Sequence, residues 1–593
     1  MKKKIKKEKN YFSKILMIFL CLFIFLRIWY DGISYPSINL LLVFSLFSIT
    51  IIVYLIQKKY TEDLLLSHFL FFLFILFSII SSGISPVKGS GIFYNANILS
   101  FLCLIILVGK LKDSDTKYLI YTLFFTCFVL GIYGIYQYYW GFEITRKFVF
   151  SHKELLEKLP PTFLERLESN RIFSRFIYPN VYASFLLTVL PLSYFTTFEK
   201  NFYIKFFSWA VFFIAFYNLI LTGSIGGLSV FIFVFHIIVL FLIFPKKIFI
   251  RTLPIFFIIE ILIITIAYKV GIFPHINSFI DRLLYWKSSI YVFKEKPLLG
   301  IGPENFRFLY LKYKLPQSME AKHAHSLFFE TLTENGILGV IFLFSFLFLV
   351  PYRVFKNERK NFYLYGIGFS FLSLFLHNMI DFDFVDPSSS FLFFLLAGIS
   401  SILLKDKVKK VKLTLFPLYF IIILSFMGAG YLKYSLCLKN IEYSKDLRNN
   451  DLKIYLLDKA EKFYPYYEVY FLKGKIFYQM GINEENKKYL SDSEKQFLTS
   501  IYLNPYFIKG YRELAFLYQN MGKIKESERM YLKLIELYPN KKQFNLEIAM
   551  FYKSINKKEK FEYFYEKSKK LVPVSIEEKK LCRTYEKWIE LQK

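Results

Sequence analysis

The chain has 593 residues, 55% of them hydrophobic and 21% aromatic, with a mean hydropathy of +0.39. Composition of that kind excludes an ordinary soluble enzyme and points to many lipid-embedded helices with something soluble attached. The formal net charge of +30 does not indicate nucleic acid as a partner. The basic residues are dispersed, no nucleic-acid module is visible, and loop lysines facing anionic lipid headgroups account for much of the excess.

In chain order, apolar runs long enough to cross a bilayer as helices fall at roughly 12–30, 36–56, 64–84, 92–109, 118–140, 180–198, 203–221, 226–245, 250–270, 336–355, 362–381, 388–404 and 413–436. Only a helix satisfies its own backbone in lipid, so the expected fold is all-α: a polytopic bundle of about 13 transmembrane helices. The first run has basic flanks and no small-residue cleavage site, so it reads as a retained helix. Every second connector is basic, from the N-terminal MKKKIKKEK through QKKYTED (57–63), GKLKDSDTK (109–117), FEKN (198–201), PKK (245–247), YRVFKNERKN (352–361) and KDKVKKVK (405–412). The positive-inside rule puts these seven segments in the cytoplasm. An odd helix count then places 271–335 and everything after about residue 437 outside. The expected division is a membrane domain, 1–437, and an exported domain, 438–593. Five cysteines show no metal or redox spacing, and a bridge between Cys437 and Cys582 is conceivable because both are expected outside.

Three polar stretches stand out. In N170-RIFSRFIYPNVYA, Pro179-Asn180 makes a helix start and Arg171 and Arg175 precede it. These arginines are either interfacial anchors or ligands; the positive-inside bias disfavours anchors on the outer face. The segment 281–339 joins two apolar runs and contains Arg282, Tyr285, Trp286, a Gly-x-Gly turn, His323 and His325. Connectors of that length are functional or disordered, and its aromatic content argues against disorder. Trp286 and Tyr285 can stack on sugar rings or serve as interface-belt aromatics. In H377-NMIDFDFVDP, His377 and Asp381 are four apart and are expected on one helix face, as a structural pair or facing a cavity.

Beyond residue 438 the chain turns polar and repeats. Pro505, Pro539 and Pro573 are 34 residues apart, and Ala515, Tyr518, Gly522 and Tyr531 stand at helix-hairpin positions. This resembles the tetratricopeptide repeat, an α-solenoid whose unit is two antiparallel helices closed by Pro and whose stacks bind proteins. Asn556 takes the place of Gly522 in the next unit, where a left-handed backbone is expected. A degenerate earlier unit near Pro465 carries an insertion at 485–495. Removing the tail at about residue 440 is expected to leave the membrane core folded.

The motifs RIFSRFIYPNVYA, LTGSIGG (221–227), RLLYWKSSIYVFKEKPLLGIGPENF and HSLFFETLTENGILG together resemble the O-antigen ligase/O-antigen polymerase superfamily of bacterial envelope glycosyltransferases, over about residues 90–400. The resemblance implies a metal-independent enzyme in the cytoplasmic membrane, without a cofactor. It would move a glycan from a polyprenyl diphosphate carrier to a hydroxyl on a glycan, lipid or protein acceptor. His325 matches the essential loop histidine and Arg282 the arginine that holds the diphosphate; Arg171, Arg175, Trp286, His377 and Asp381 are further candidates for binding substrate. Two departures are visible. Ile225 follows Ser224 where the family often has Arg, so that role falls to Arg171 or Arg175 or is lost, and Ser326 follows His325 where the family often has Asn. The competing class is a transporter or a scaffold whose repeats recruit envelope-assembly proteins. No inverted repeat or pair of Gly/Pro-broken helices supports transport.

Overall fold

A computed structural model describes residues 2–58, 61–152, 154, 161–244, 276–357, 361–404, 410–574 and 576–591. Among them the chain is nearly all helical, and nine helices are long and apolar enough to cross a membrane. The expected spans at 92–109 and 388–404 form helices of 17 residues each, Ile92–Val108 and Pro387–Leu403. The span at 180–198 is the helix Pro179–Thr196. The span expected at 250–270 lies outside the described residues.

These three helices are buried almost all round, which is why their sequences carry no polar face. They form the middle of the bundle, and the other spans surround it. Phe394 of Pro387–Leu403 sits at the centre of an aromatic cluster, with ring centroids 4.4 Å from Phe71, 5.1 Å from Phe101 and 5.5 Å from Phe346. Glycines set the close approaches, as where Gly398 meets Val108 and Gly366 meets Leu192. Outer helices instead turn side chains such as Phe206, Phe213, Ile422 and Phe426 outward, as a lipid-facing surface requires. Helix starts follow local chemistry. Asn201 and Asn361 each accept from two backbone amides, Asp386 accepts from Ser388, and Pro179 and Pro387 occupy first turns.

The all-α expectation needs one correction. Two of the basic connectors pair as an antiparallel ribbon, strand β1 (Thr61–Leu65) against strand β2 (Lys410–Thr414), with Asp63 opposite Lys412. The pairing binds loops some 350 residues apart, so both lie on one side of the bundle. A second departure is the helix Asp113–Tyr136, which passes through a π-helical turn at Gln137–Gly141 and continues as Phe142–Ser151.

From β2 the helix Phe416–Asp446 runs without a break through the apolar segment into the polar tail. The tail is a series of antiparallel helix pairs: Tyr467–Asn483 with Lys487–Leu503, Ile508–Asn520 with Ile524–Leu537, and Lys542–Ser554 with Lys558–Lys569. Each pair turns through a left-handed residue, at Glu485 (φ 50°), Gly522 (φ 71°) and Asn556 (φ 56°). The extra residues of the first pair do not bulge out; they lengthen its helices to 17 residues each, against 12 to 14 in the others. All five cysteines are free.

Candidate functional site

The segment after Ile276 is built by two glycine turns that lock onto one another. The helix Leu327–Lys356 is broken at Gly336, whose backbone (φ 66°, ψ −169°) leaves the preceding carbonyls without helical partners. The Pro297–Gly302 strand of chain crosses the break and takes them. Ile301 N donates to Thr333 O (3.0 Å), Gly302 N to Glu334 O (2.9 Å), and Ile337 N returns to Pro297 O (2.9 Å). A Cβ on Gly300 would stand 2.4 Å from the Glu334 backbone, and one on Gly336 2.4 Å from Leu298 O. The Gly-x-Gly and Asn-Gly motifs, 34 residues apart, therefore make one joint. Glu334 adds to it by accepting from Phe306 N (3.1 Å).

This joint fixes the helix Ile276–Phe293, which carries Arg282, and the N-terminal end of Leu327–Lys356, which His325 and Ser326 precede. His325 is itself left-handed (φ 52°), a conformation that a non-glycine residue keeps only where its surroundings enforce it. Its ring packs on Tyr285 (5.6 Å) and edge-on to Phe382 (4.6 Å).

Asp381 is the hub. Its Oδ2 accepts from Asn180 Nδ2 (2.6 Å) and Arg282 Nη2 (3.3 Å), and its Oδ1 lies 3.7 Å from His325 Nδ1. Asn180 in turn accepts from Arg171 Nη2 (2.8 Å), and Arg171 Nε donates to Thr222 O (2.8 Å). Arg171 thus lies across the Thr-Gly-Ser turn at 222–224, its stem on Gly223, next to Ile225. Burial would raise the Asp381 carboxyl, but His325 and Arg282 beside it hold it well below the usual carboxylate range. Burial pulls the Arg171 guanidinium down; Asp381 opposes the shift and Arg282 adds to it. Asp281 is raised, chiefly by burial.

Arg171, Asn180, His323, His325 and Phe382 face a cavity of about 1230 Å³, whose other walls come from Pro36, Leu40 and Leu41 and from Tyr431, Tyr434 and Lys439. A space of that size is larger than the usual small-ligand site. Arg282 stands next to this wall, not on it, with 19% of its side chain exposed.

Not every expected residue joins. Arg175 turns away to the first two helices, where it donates to Tyr35 OH (3.3 Å) and lies 5.4 Å from the Trp29 ring. Trp286 is packed on Phe329 (5.4 Å, 17°) and is not at the cavity. The expected His377–Asp381 pair is corrected. The helix Phe362–Ile380 ends before Asp381, and the following 3-10 turn brings Asp383 to His377 Nδ1 at 2.5 Å, both fully buried. His323 reaches Glu330 (3.0 Å) and lies flat on Phe382 (5.4 Å), so the two loop histidines address different carboxylates. Sequence reasoning missed Asn180 and Asp383. Asn180 was visible only as a helix start, and Asp383 only as the second acid of Asp-Phe-Asp.

The chain is thus a polytopic helical membrane protein with a His, Arg and Asp cluster at one cavity. In comparison with known proteins, the family described as O-antigen ligase matches residues 210–344. The matched stretch holds Arg282, His325 and the glycine joint, whereas Arg171, Asn180 and Asp381 come from outside it. No curated protein matches the chain.

Proposed function

We propose that this protein transfers a glycan from a polyprenyl diphosphate carrier to an acceptor hydroxyl on the outer face of the cytoplasmic membrane, the acceptor being a glycan, lipid or protein. The observation that carries the reading is the linked set Arg171–Asn180–Asp381 with Arg282 and His325, part of it inside the stretch similar to O-antigen ligases. Glycan transfer breaks the bond from the sugar C1 to the diphosphate oxygen and forms one from C1 to the acceptor oxygen. The acceptor proton passes to His325, with Nδ1 toward Asp381 and Nε2 as the base. Asp381 orients the ring and stabilises the imidazolium. The departing diphosphate gathers negative charge, which guanidinium groups meet by paired, charge-assisted hydrogen bonds. Arg171 takes this role from the cavity wall, in the place left by Ile225, and Arg282 from beside Asp381. The apolar wall at Leu40 and Leu41 suits an isoprenoid tail. The helix pairs of residues 438–593 are a tetratricopeptide-type stack serving acceptor choice or assembly with a protein partner.

Reconstitution with purified lipid-linked glycan tests the reading. His325→Ala is expected to lower transfer by about 10²–10⁴-fold, the usual contribution of a positioned base, while His323→Ala has a far smaller effect. Arg282→Lys and Arg171→Lys are expected to fail too, because Lys keeps the charge and loses the planar fork. Near-normal transfer by both His325→Ala and Arg282→Lys would refute the mechanism.

A further inference from the structure

The segment that carries His325 is held from two sides, and one of them is the tail. Residues 314–326 connect the helix Phe306–Tyr313 to the helix that begins at Leu327. On the membrane side, Glu330 accepts from the backbone of Ala324 and pairs with His323. On the far side, the corner between the second and third tail helix pairs grips the same segment. Tyr538 OH donates to Glu320 (2.8 Å), Lys541 Nζ reaches Glu320 (2.6 Å), and Asn540 Nδ2 donates to Lys314 O (2.7 Å). Lys541 is also anchored within the tail by the buried Glu578 (3.0 Å). Burial would raise the Glu320 carboxyl, yet Lys541 and Tyr538 hold it below its ordinary range, so the contact is made by the ionised form.

From Glu320 a continuous set of contacts leads to the histidine. Tyr310 OH bonds Ser318 Oγ (2.5 Å) and Met319 O (2.7 Å). The Tyr310 ring meets Tyr285 edge-on at 5.8 Å, and Tyr285 packs on His325. Glu320 also forms part of the cavity wall.

We propose that the tail is a positioning element for the transfer site: the Tyr538–Lys541 corner, through Glu320, sets the segment that presents His325 to the cavity. Glu320 and Tyr538 are positioning residues. The proposal rests on the transfer reading for its activity arm only. It gives the tail a place in the reaction beyond partner recruitment, since a ligand seated at that corner would alter transfer.

The test uses the full chain in lipid nanodiscs, with Glu320→Ala on the loop, Tyr538→Phe on the tail and Glu320→Gln as the conservative change. Hydrogen exchange over residues 314–326 is expected to rise about tenfold in Glu320→Ala and less in Tyr538→Phe. Turnover should fall about tenfold in Glu320→Ala and less in Tyr538→Phe, and because Tyr538 is not on the cavity wall, KM for the lipid-linked donor should be unchanged in Tyr538→Phe. Glu320→Gln keeps an acceptor for Tyr538 and Lys541 and should recover most of both. Wild-type exchange and turnover in Glu320→Ala and Tyr538→Phe overturn the proposal. So does a loss in Tyr538→Phe in which melting temperature, turnover and donor KM worsen together, which marks a merely structural contact. If the unaltered protein transfers no glycan, the transfer reading falls, and the exchange arm still decides whether the tail holds the segment.

Discussion

Asp381 accepts from Asn180 and Arg282 and faces His325, so replacing it tests the cluster more severely than replacing any one partner. Asp381→Asn keeps the size and removes the charge that faces Arg282 and His325. Transfer is expected to fall by at least about 10²-fold, near 2.7 kcal/mol of barrier, measured by initial rates on protein of normal yield. Stability carries a pH signature as well. The carboxyl ionises below its unfolded-chain value, so its contribution is complete above about pH 4 and is lost as pH falls through the lower folded value. The melting-temperature gap between the wild type and Asp381→Asn should therefore narrow as pH falls below about 4. A gap that widens in acid would show that the carboxyl is not held low. His377 behaves differently. It is sealed against Asp383, and His377→Phe strands a buried carboxylate, which costs about 3–5 kcal/mol. Melting temperature and yield should drop, with donor KM preserved in the protein that folds.

The glycine joint concentrates the cost of substitution at the scale of elements. Gly300→Ala and Gly336→Ala each drive a Cβ into backbone at 2.4 Å and hold it at positive φ. Overpacking of about 1–3 kcal/mol adds to about 1–2 kcal/mol for the left-handed backbone. Gly83, at a helix end with nothing within 4 Å of its added Cβ, is the control, and Gly83→Ala should be neutral within about 1 kcal/mol. Thermal unfolding in detergent separates the three; equal melting temperatures would mean that the crossing is not rigid. The sequence showed the two glycine motifs but not that each answers the other, because the link is backbone to backbone and leaves no side-chain pattern. Apolar run length made the helices legible for a plain physical reason: lipid admits little else. The β1–β2 ribbon was hidden because its partners are five-residue basic stretches in separate connectors. Arg282 and His325 were singled out by the resemblance, which alone chose His325 over His323, and Arg171 by its place before a helix start. Arg175 was not separable from Arg171, since two arginines four apart in a non-helical stretch carry no sign of which way each turns. The partner of His377 was misread because a spacing of four predicts a shared helix face only if the helix continues, and it stops at Ile380.

For the whole molecule, the contacts constrain sidedness without reference to charge. Glu320 and Lys541 touch, so the segment 276–335 and the helix-pair tail lie on one side of the bundle. β1 and β2 pair, so those two connectors also share a side, and the helix Phe416–Asp446 leads from β2 to the tail. A span of that length crosses the hydrocarbon layer with residues to spare, which puts the ribbon opposite the tail. The distribution of Lys and Arg leads to an expectation of the same kind, with the ribbon on the cytoplasmic side. The tail is also less separable than its composition suggests. Val87, Phe308 and Leu311 of the membrane part are packed into its hydrophobic clusters, so truncation near residue 440 should lower the melting temperature of the remaining core rather than leave it untouched. Single cysteines at Lys322, Lys523 and Lys412, in a chain whose own five cysteines are replaced, measure the arrangement directly. An impermeant thiol reagent should label the first two in cells with an intact cytoplasmic membrane, and Lys412→Cys only after lysis. Labelling of all three before lysis, or of Lys412→Cys alone, would invert or dissolve the topology and remove His325 from the face on which a lipid-linked glycan would be presented.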